Sequence, residues 1–343
     1  MAHSTRTFQA PKGTRDFYPH DLAVRRYLEG TWRQVSVNHG FDEIDGPTFE
    51  HLELYTVKSG PGIVSELFSF RRAGGDVDYA LRPEFTPTLA RMYAAKASTL
   101  ARPTKWFSIC QYFRAERPQR GRLREHFQWN LDLIGDASAA ADAQIVAAAV
   151  EVLARLGLTA GDVRVKISDR HHVADLLKAC GLAEESLPAA FALLDKRGKI
   201  TPDEFEREAA GLGLGPDDLG RFGARTIGDD APAGLRDLWT ELEALEIADW
   251  CEIDHSIVRG LAYYTGAVFE IHEAGGKERA IAGGGRYDDL VKLFGGPSTP
   301  ATGIAMGDVV IRLVLQDRGL LAPAEDLMPR PDVFLISAGK QEA

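Results

Sequence analysis

The chain has 343 residues, of which 45% are apolar and 26% charged, and its formal net charge is −10. This is the composition of a globular protein long enough to bury a large core in more than one domain. The acidic balance excludes a generally basic nucleic-acid coat, so any RNA contact must come from local patches.

The N-terminal MAHSTRTFQAPKGTRD has no apolar signal-peptide core, and no run along the chain is long enough to span a bilayer. PKGTRDFYP, Pro11 to Pro19, is a turn-rich opening. From about Asp21 to Asn38 the spacing of Leu22, Tyr27, Leu28, Trp32 and Val35 predicts an amphipathic helix ended by Gly40. FDEIDGPTFEHLELY then predicts a strand broken at Pro47. Leu67 to Phe70 and Asp78 to Leu81 flank RRAGGDV, a hairpin turning at Gly74 and Gly75. LRPEFTPTLARMYAA places Arg82, Glu84 and Thr86 just before a helix. A strand continuing through them would put all three on one face, although an acid and a threonine there also serve as simple caps.

The stretch WFSICQYFRAERPQRGRLREHFQWNLDLIG, Trp106 to Gly135, reads as a long antiparallel hairpin with Pro118 and Gly121 breaking its middle. Its tip carries Arg114, Arg117, Arg120, Arg122 and Arg124, opposed only by Glu116 and Glu125. Guanidiniums offer planar forks of donors that suit phosphate. On the returning strand, alternation groups Arg124, His126, Gln128, Asn130 and Asp132 on one face and Phe127, Trp129, Leu131 and Leu133 on the other. The apolar face packs, and the polar face is the floor of a binding site.

Ala141 to Leu156 is a helix with a core-facing stripe, and Val163 to Ile167 a short strand. Helices and polar turns follow from Asp169 to about Ile247. DKRGKITPDEFE there resembles a calcium loop only superficially, since aligning Gly198 puts Leu193 and Arg197 where oxygen ligands are needed. His171 and His172 are adjacent, point apart and have no partner cysteines, which excludes zinc. Cys110, Cys180 and Cys251 are widely spaced, with no disulfide framework or CxxC metal site, and fit a reducing cytoplasm. From Cys251 strands return, with a second hairpin expected between Val268–Ile271 and Arg279–Ala282. Gly283, Gly284 and Gly285 form no dinucleotide fingerprint and are expected to let the backbone approach a bound ligand. Pro300 to Leu315 is a strand running into a helix. Residues 316–328 read as a polar linker, and PRPDVFLISAGK as the start of a new strand.

RAERPQRGRLREHFQWNLDLIG resembles the second signature motif of class II aminoacyl-tRNA synthetases, in the wording of the histidyl-tRNA synthetase family. RGLAYYTG resembles that family's histidine-specific motif, normally written with an acid where Ala262 stands, and AGGGRYDDL a companion motif. The helix and strand before Pro47 resemble the first class II motif. PATGIAMGDVVIRLVL resembles the third, with Val309 and Val310 where the common form has Glu-Arg; Arg312 falls about 200° around the helix from its ligand face.

The resemblance implies an α+β class II catalytic fold over residues 1–168 and 248–325, a mixed and mostly antiparallel sheet flanked by helices. It implies a helical insertion over 169–247, and a linker and truncated C-terminal anticodon-binding domain over 326–343. The implied reaction is activation of histidine by ATP with Mg²⁺, then transfer to the 3′-terminal adenosine of tRNA(His), held by its acceptor stem, in a cytoplasmic homodimer. By resemblance Arg114 and Arg259 act on the α-phosphate. Glu84, Thr86 and Gln128 hold the amino acid's backbone groups, and Asp132, Tyr263 and Tyr264 bind the histidine. Arg122 reaches the outer phosphates, Glu116 belongs to the ATP set, and His126 or Phe127 stacks on adenine, with strand parity favouring His126. The alternative is a histidine-binding regulatory subunit of ATP phosphoribosyltransferase, which shares the fold; the intact arginine loop argues against it.

Overall fold

The computed structural model describes residues 8–59, 61–197, 200–225, 227, 231–259 and 263–336. Helix α1, Pro19–Asn38, begins with proline at its first turn, where a missing N–H costs nothing. Leu28, Trp32 and Val35 bury its inner stripe. Short strands β1 (Asp42–Glu43) and β2 (Phe49–His51) lead to helix α2, Leu52–Ser59. Strands β3 (Ser69–Arg71) and β4 (Asp78–Leu81) form the expected hairpin, and β2 adds to it as a small separate sheet. Strand β4 stops at Leu81 and helix α3, Thr86–Lys96, starts five residues later. Alternation therefore does not carry through Glu84. Arg82 turns away to donate to Asp45, Gly46 and Gln111.

The long hairpin is β5 (Thr104–Phe113) against β6 (Glu125–Ile134), antiparallel throughout. Helix α4, Ala139–Arg155, is capped by Ser138, whose hydroxyl accepts from Ala141 N–H. Strand β7 (Val163–Asp169) leads into helices α5 (Arg170–Ala179), α6 (Leu187–Asp195), α7 (Pro202–Gly211) and α8 (Pro216–Gly220). These four gather around their own apolar cluster, including Val173, Leu177, Leu194 and Phe222. After β8 (Ala224–Arg225), helix α9, Ala233–Ala244, packs elsewhere, placing Leu235, Leu238 and Leu242 in the main core beside α4. Gly198, the pivot of the rejected calcium loop, lies outside the described residues.

The remaining strands are β9 (Cys251–Asp254), β10 (Ala267–Glu273), β11 (Ala282–Arg286) and β12 (Ala301–Gly307). Helix α10, Leu290–Leu293, precedes β12, and α11, Asp308–Asp317, follows it directly. Among the described residues one nine-stranded sheet runs β1-β5-β6-β12-β11-β10-β7-β9-β8. All its pairings are antiparallel except β1 with β5 and β7 with β9. One face carries the main core under α1, α4, α9 and α11, where Trp129 and Leu131 are fully buried. Each such burial contributes roughly 2–3 kcal/mol. The other face holds a smaller cluster under α3 and α10, and the rest of that face is open. The alternation expected for β6 is the alternation observed.

The second hairpin differs from expectation. Its returning arm is Ala282–Arg286 rather than Arg279–Ala282, so the three glycines lie within the strand. Beyond α11, helix α12 (Ala324–Leu327) interrupts the expected linker, and Pro331 to Ile336 form no strand. Val333, Phe334, Leu335 and Ile336 are exposed and pair with no strand among the described residues. Residues 337–343 of that expected strand lie outside the described residues.

Candidate active site

The open part of the sheet is a cavity of about 220 Å³ over β6, β12 and β11, walled by the arginine hairpin, the start of α3 and the segment before β10. Glu84, Thr86, Arg114, Arg122, His126, Gln128, Asp132, Arg259, Tyr263 and Tyr264 all line it. The sequence places these residues up to 180 positions apart (264 − 84 = 180), and the sheet order brings them together.

Two expected site residues stand apart. Phe127 projects to the opposite face of β6, where its ring meets Phe17 edge-on at 5.8 Å and lies under the Arg25 guanidinium at 4.1 Å. Strand parity forces this, and His126 alone of the pair faces the cavity. Glu116 pairs with Arg122 instead of lining the cavity, and so orients that guanidinium.

Along the floor, Gln128 Nε2 donates to Asn130 Oδ1 at 2.8 Å, and Asn130 Nδ2 donates to Tyr112 Oη at 2.9 Å. Every link is buried, so the side chains have one arrangement. Burial, with Arg114 close by, pulls the His126 imidazole down to about 3, leaving a neutral ring tilted against Tyr112. At the inner end Tyr287 Oη donates to Asp132 Oδ1 at 2.5 Å. Burial pushes the Asp132 carboxyl up to about 7, with the tyrosine hydrogen bond working against it.

Arg114, Arg122 and Arg259 converge on the outer half of the cavity. Arg114 is held below its ordinary pKa by burial first and then by the charge of Arg122, with Glu84 and Glu116 opposing. Three cations kept this close with so few acids are organised for an anion. Arg259 has a left-handed backbone, φ 53°, unusual for a residue with a side chain. Its Nη1 donates to Glu270 Oε1 at 2.7 Å, and His272 Nε2 lies 2.8 Å from Glu270 Oε2. Burial raises the Glu270 carboxyl, but His272 and Arg259 outweigh it and hold the group near about 2.

The glycine strand β11 has a physical cause within the protein, beside the close approach to a ligand expected of it, and Gly283 itself lines the cavity. A Cβ on Gly283 would sit 2.6 Å from Arg259 Cζ, and one on Gly285 would sit 2.9 Å from the Tyr264 ring. The glycines make room for the two side chains that line the cavity above them. Gly303 is constrained in the same way by its register partner Asp132. A methyl there would lie 2.8 Å from the Leu131 carbonyl and overlap Asp132 Oδ1. Gly303→Ala is therefore expected to destabilise the protein by about 2–3 kcal/mol, seen as a lower urea midpoint at unchanged m.

Val309 and Val310 line the cavity at the start of α11, and Arg312 points away to Asp21 on α1 at 2.8 Å, as the helix geometry requires. Asp308, the first residue of α11, accepts from Phe127 N–H at 2.9 Å and from Arg15 at 2.7 Å. It ties the opening PKGTRD segment to the floor. Ala262, the departure from the family motif, lies outside the described residues. Tyr287, Glu270 and Asp308 are site residues that sequence reasoning left unassigned, and Asn130 stands on the expected polar floor without a named role. Tyr287 was within reach, as it stands two residues after the glycine run.

The family model described as histidyl-tRNA synthetase matches residues 13–210 and 221–308. The histidine–tRNA ligase of Opitutus terrae is 43% identical, the match covering 98% of this chain and 80% of that one. That of Halobacterium salinarum is 39% identical over 97% of this chain and 79% of its own. The crystal structure of histidyl-tRNA synthetase from Nostoc sp. PCC 7120 superposes with a TM-score of 0.77 at 25% identity, covering 93% of this chain and 77% of that one. With its mixed sheet, its arginine hairpin and these matches along nearly its whole length, the chain belongs to the histidyl-tRNA synthetase family.

Proposed function

We propose that this cavity is where histidine is activated by ATP, with pyrophosphate leaving, before the aminoacyl group passes to the terminal adenosine of tRNA(His). The enzyme is a histidine–tRNA ligase of class II. The observation that supports the location is the convergence of Arg114, Arg122 and Arg259 above a neutral polar floor that ends in buried Asp132. The inner end takes the amino acid and the outer end the triphosphate.

The imidazole of histidine needs a partner for each ring nitrogen. Asp132, held by Tyr287, accepts from one N–H, and Tyr264 meets the other nitrogen. Glu84, Thr86 and Gln128 hold the α-amino and carboxylate groups, with Tyr263 packed 4.6 Å from Tyr264 as a wall. The substrate carboxylate attacks the α-phosphorus as the bond to pyrophosphate breaks. Charge gathers on the α-phosphoryl oxygens between Arg114 and Arg259, which are already in place and need no reorganisation. Arg122, steadied by Glu116, takes the outer phosphates, and neutral His126 offers its ring to adenine. Magnesium bound with ATP would offset charge on its phosphates.

The division into catalytic regions 1–168 and 248–325, a helical insertion 169–247 and a C-terminal part from 326 is retained, with the insertion reaching toward the tRNA acceptor stem. The separate cluster of α5–α8 supports this, and the packing of α9 on α4 draws the end of the insertion toward the main core. We also propose a homodimer working in the cytoplasm. Its cysteines are free, in keeping with a reducing compartment. Among the described residues no helix is long and apolar enough to cross a membrane.

The deciding experiment is histidine-dependent exchange of labelled pyrophosphate into ATP, which needs no tRNA. Exchange that requires histidine supports the activation site; histidine binding without exchange sinks it in favour of a histidine sensor. A second expectation concerns pH. Because Asp132 titrates near about 7 in the free protein, the ionised acceptor forms as pH rises, and histidine should bind about tenfold more tightly at about pH 8 than at about pH 6 from this group alone. Calorimetry on Asp132→Asn should show that component gone, leaving only the titration of free histidine.

A further inference from the structure

Arg259 is held from two sides by different parts of the fold. On the sheet side, Glu270 fixes its guanidinium over Gly283. On the other side its backbone is gripped by Arg170, the first residue of α5. Arg170 Nη1 donates to the Val258 carbonyl at 2.7 Å and to the Arg259 carbonyl at 3.1 Å. The same guanidinium lies 4.4 Å from the centre of the Phe191 ring on α6. Val258 is buried within the apolar cluster of α5–α8, beside Val173, Leu177 and Phe222. The residue before Arg259 is thus part of the helical unit's core, while the side chain of Arg259 lines the cavity over the sheet.

This matters because the backbone of Arg259 is in the left-handed region, which is strained for a residue with a side chain and persists only when the surroundings enforce it. Glu270 restrains the far end of a long side chain and cannot alone dictate φ. The two carbonyls flanking that dihedral are where enforcement has to act, and Arg170 holds both.

We infer that Arg170 is a positioning residue: it clamps the Val258 and Arg259 carbonyls so that the helical unit α5–α8 sets where the Arg259 guanidinium meets the reacting phosphate. This rests on the placement of Arg259 at the α-phosphate proposed above. The helical unit is then a support of the activation step as well as an appendage to the sheet. Phe191 completes the clamp by stacking on the plane of Arg170 and keeping its fork turned toward the carbonyls.

The test is a double-mutant cycle on the full chain, reading single-turnover formation of the adenylate, with histidine affinity by calorimetry alongside. Arg170→Ala should slow adenylate formation by roughly 10- to 100-fold, the scale expected for a misplaced catalytic group, with histidine Kd changed by less than about threefold. In an Arg259→Ala background the same substitution should change the residual rate by less than about twofold, because nothing remains to position. An equal loss in both backgrounds overturns the inference, as does an Arg170→Ala enzyme with full rate; either leaves the Arg259 placement standing. An Arg259→Ala enzyme with full rate removes that placement and the inference with it. Should Arg170→Ala fail to fold, Phe191→Leu serves in its place: a slowing of about threefold that vanishes beside Arg259→Ala is expected, and a slowing that persists there overturns the clamp.

Discussion

Replacing Arg259 by alanine is expected to slow histidyl-adenylate formation by about a thousandfold while leaving the KM for histidine within a few-fold of the parent. The expected size follows from the setting. The guanidinium is half-buried, and its charged form is favoured, since the cost of desolvation is outweighed by Tyr264 and Glu270. A fixed cation at this position meets charge that exists only in the transition state, so its removal lowers kcat rather than binding. Arg122→Ala removes a cation from the same cavity, but one proposed for the outer phosphates, which carry charge before and after reaction. Its effect should fall mainly on the KM for ATP. Measuring both parameters for both variants separates the roles, and a raised KM with unchanged kcat in Arg259→Ala would contradict the assignment.

The largest loss of stability is expected from Asp142→Ala, about 3–5 kcal/mol. Asp142 on α4 accepts from Arg286 Nε at 3.0 Å and Nη2 at 2.9 Å, and both side chains are buried. The carbonyls of Asp136 and Ser138 take further donors of the same guanidinium, at 3.0 and 2.9 Å. Alanine would leave the guanidinium inside the protein with only the more exposed Asp288, at 3.5 Å, as counter-charge. Arg286 ends β11 and is followed at once by Tyr287, the partner of Asp132, so the damage should reach histidine binding as well. Urea unfolding gives the first quantity and calorimetry with histidine the second. Asp142→Ala paired with Arg286→Met should recover part of the stability, because the stranded charge is gone.

The polar floor was legible in the sequence because strand alternation is a strict period of two, and a row of histidine, glutamine, asparagine and aspartate opposite a row of aromatics has one sensible burial. The turn of Arg312 away from the cavity was legible for the same kind of reason, from 100° per residue. The glycine strand was not. The ladders with β10 and β12 make the three glycines strand, and the space they leave is taken by Arg259 and Tyr264 and by the Gly303 and Ala267 carbonyls, all from other parts of the chain. Nor could spacing find Arg170 or Glu270, whose meaning depends on contacts across 89 and 11 positions. Helix α9 sits in a segment whose composition matches its helical neighbours, and only its packing partner distinguishes it.

The central pairing of β6 with β12 joins residues made early in synthesis to residues made late, Gln128 facing Gly307 and Ile134 facing Ala301. A ribosome has to add about half of the chain after β6 before that strand acquires its second neighbour. Until then a ten-residue strand, aromatic on one side, offers an open row of N–H and C=O groups. The hairpin is local and closes early, but its inner edge is exposed for the whole interval, at a stage when β11, β10 and β7 have also to be threaded into order. Yield in a fast-translating host should therefore be limited by aggregation of nascent chains. Slower elongation or a holding chaperone should raise it without altering the finished enzyme.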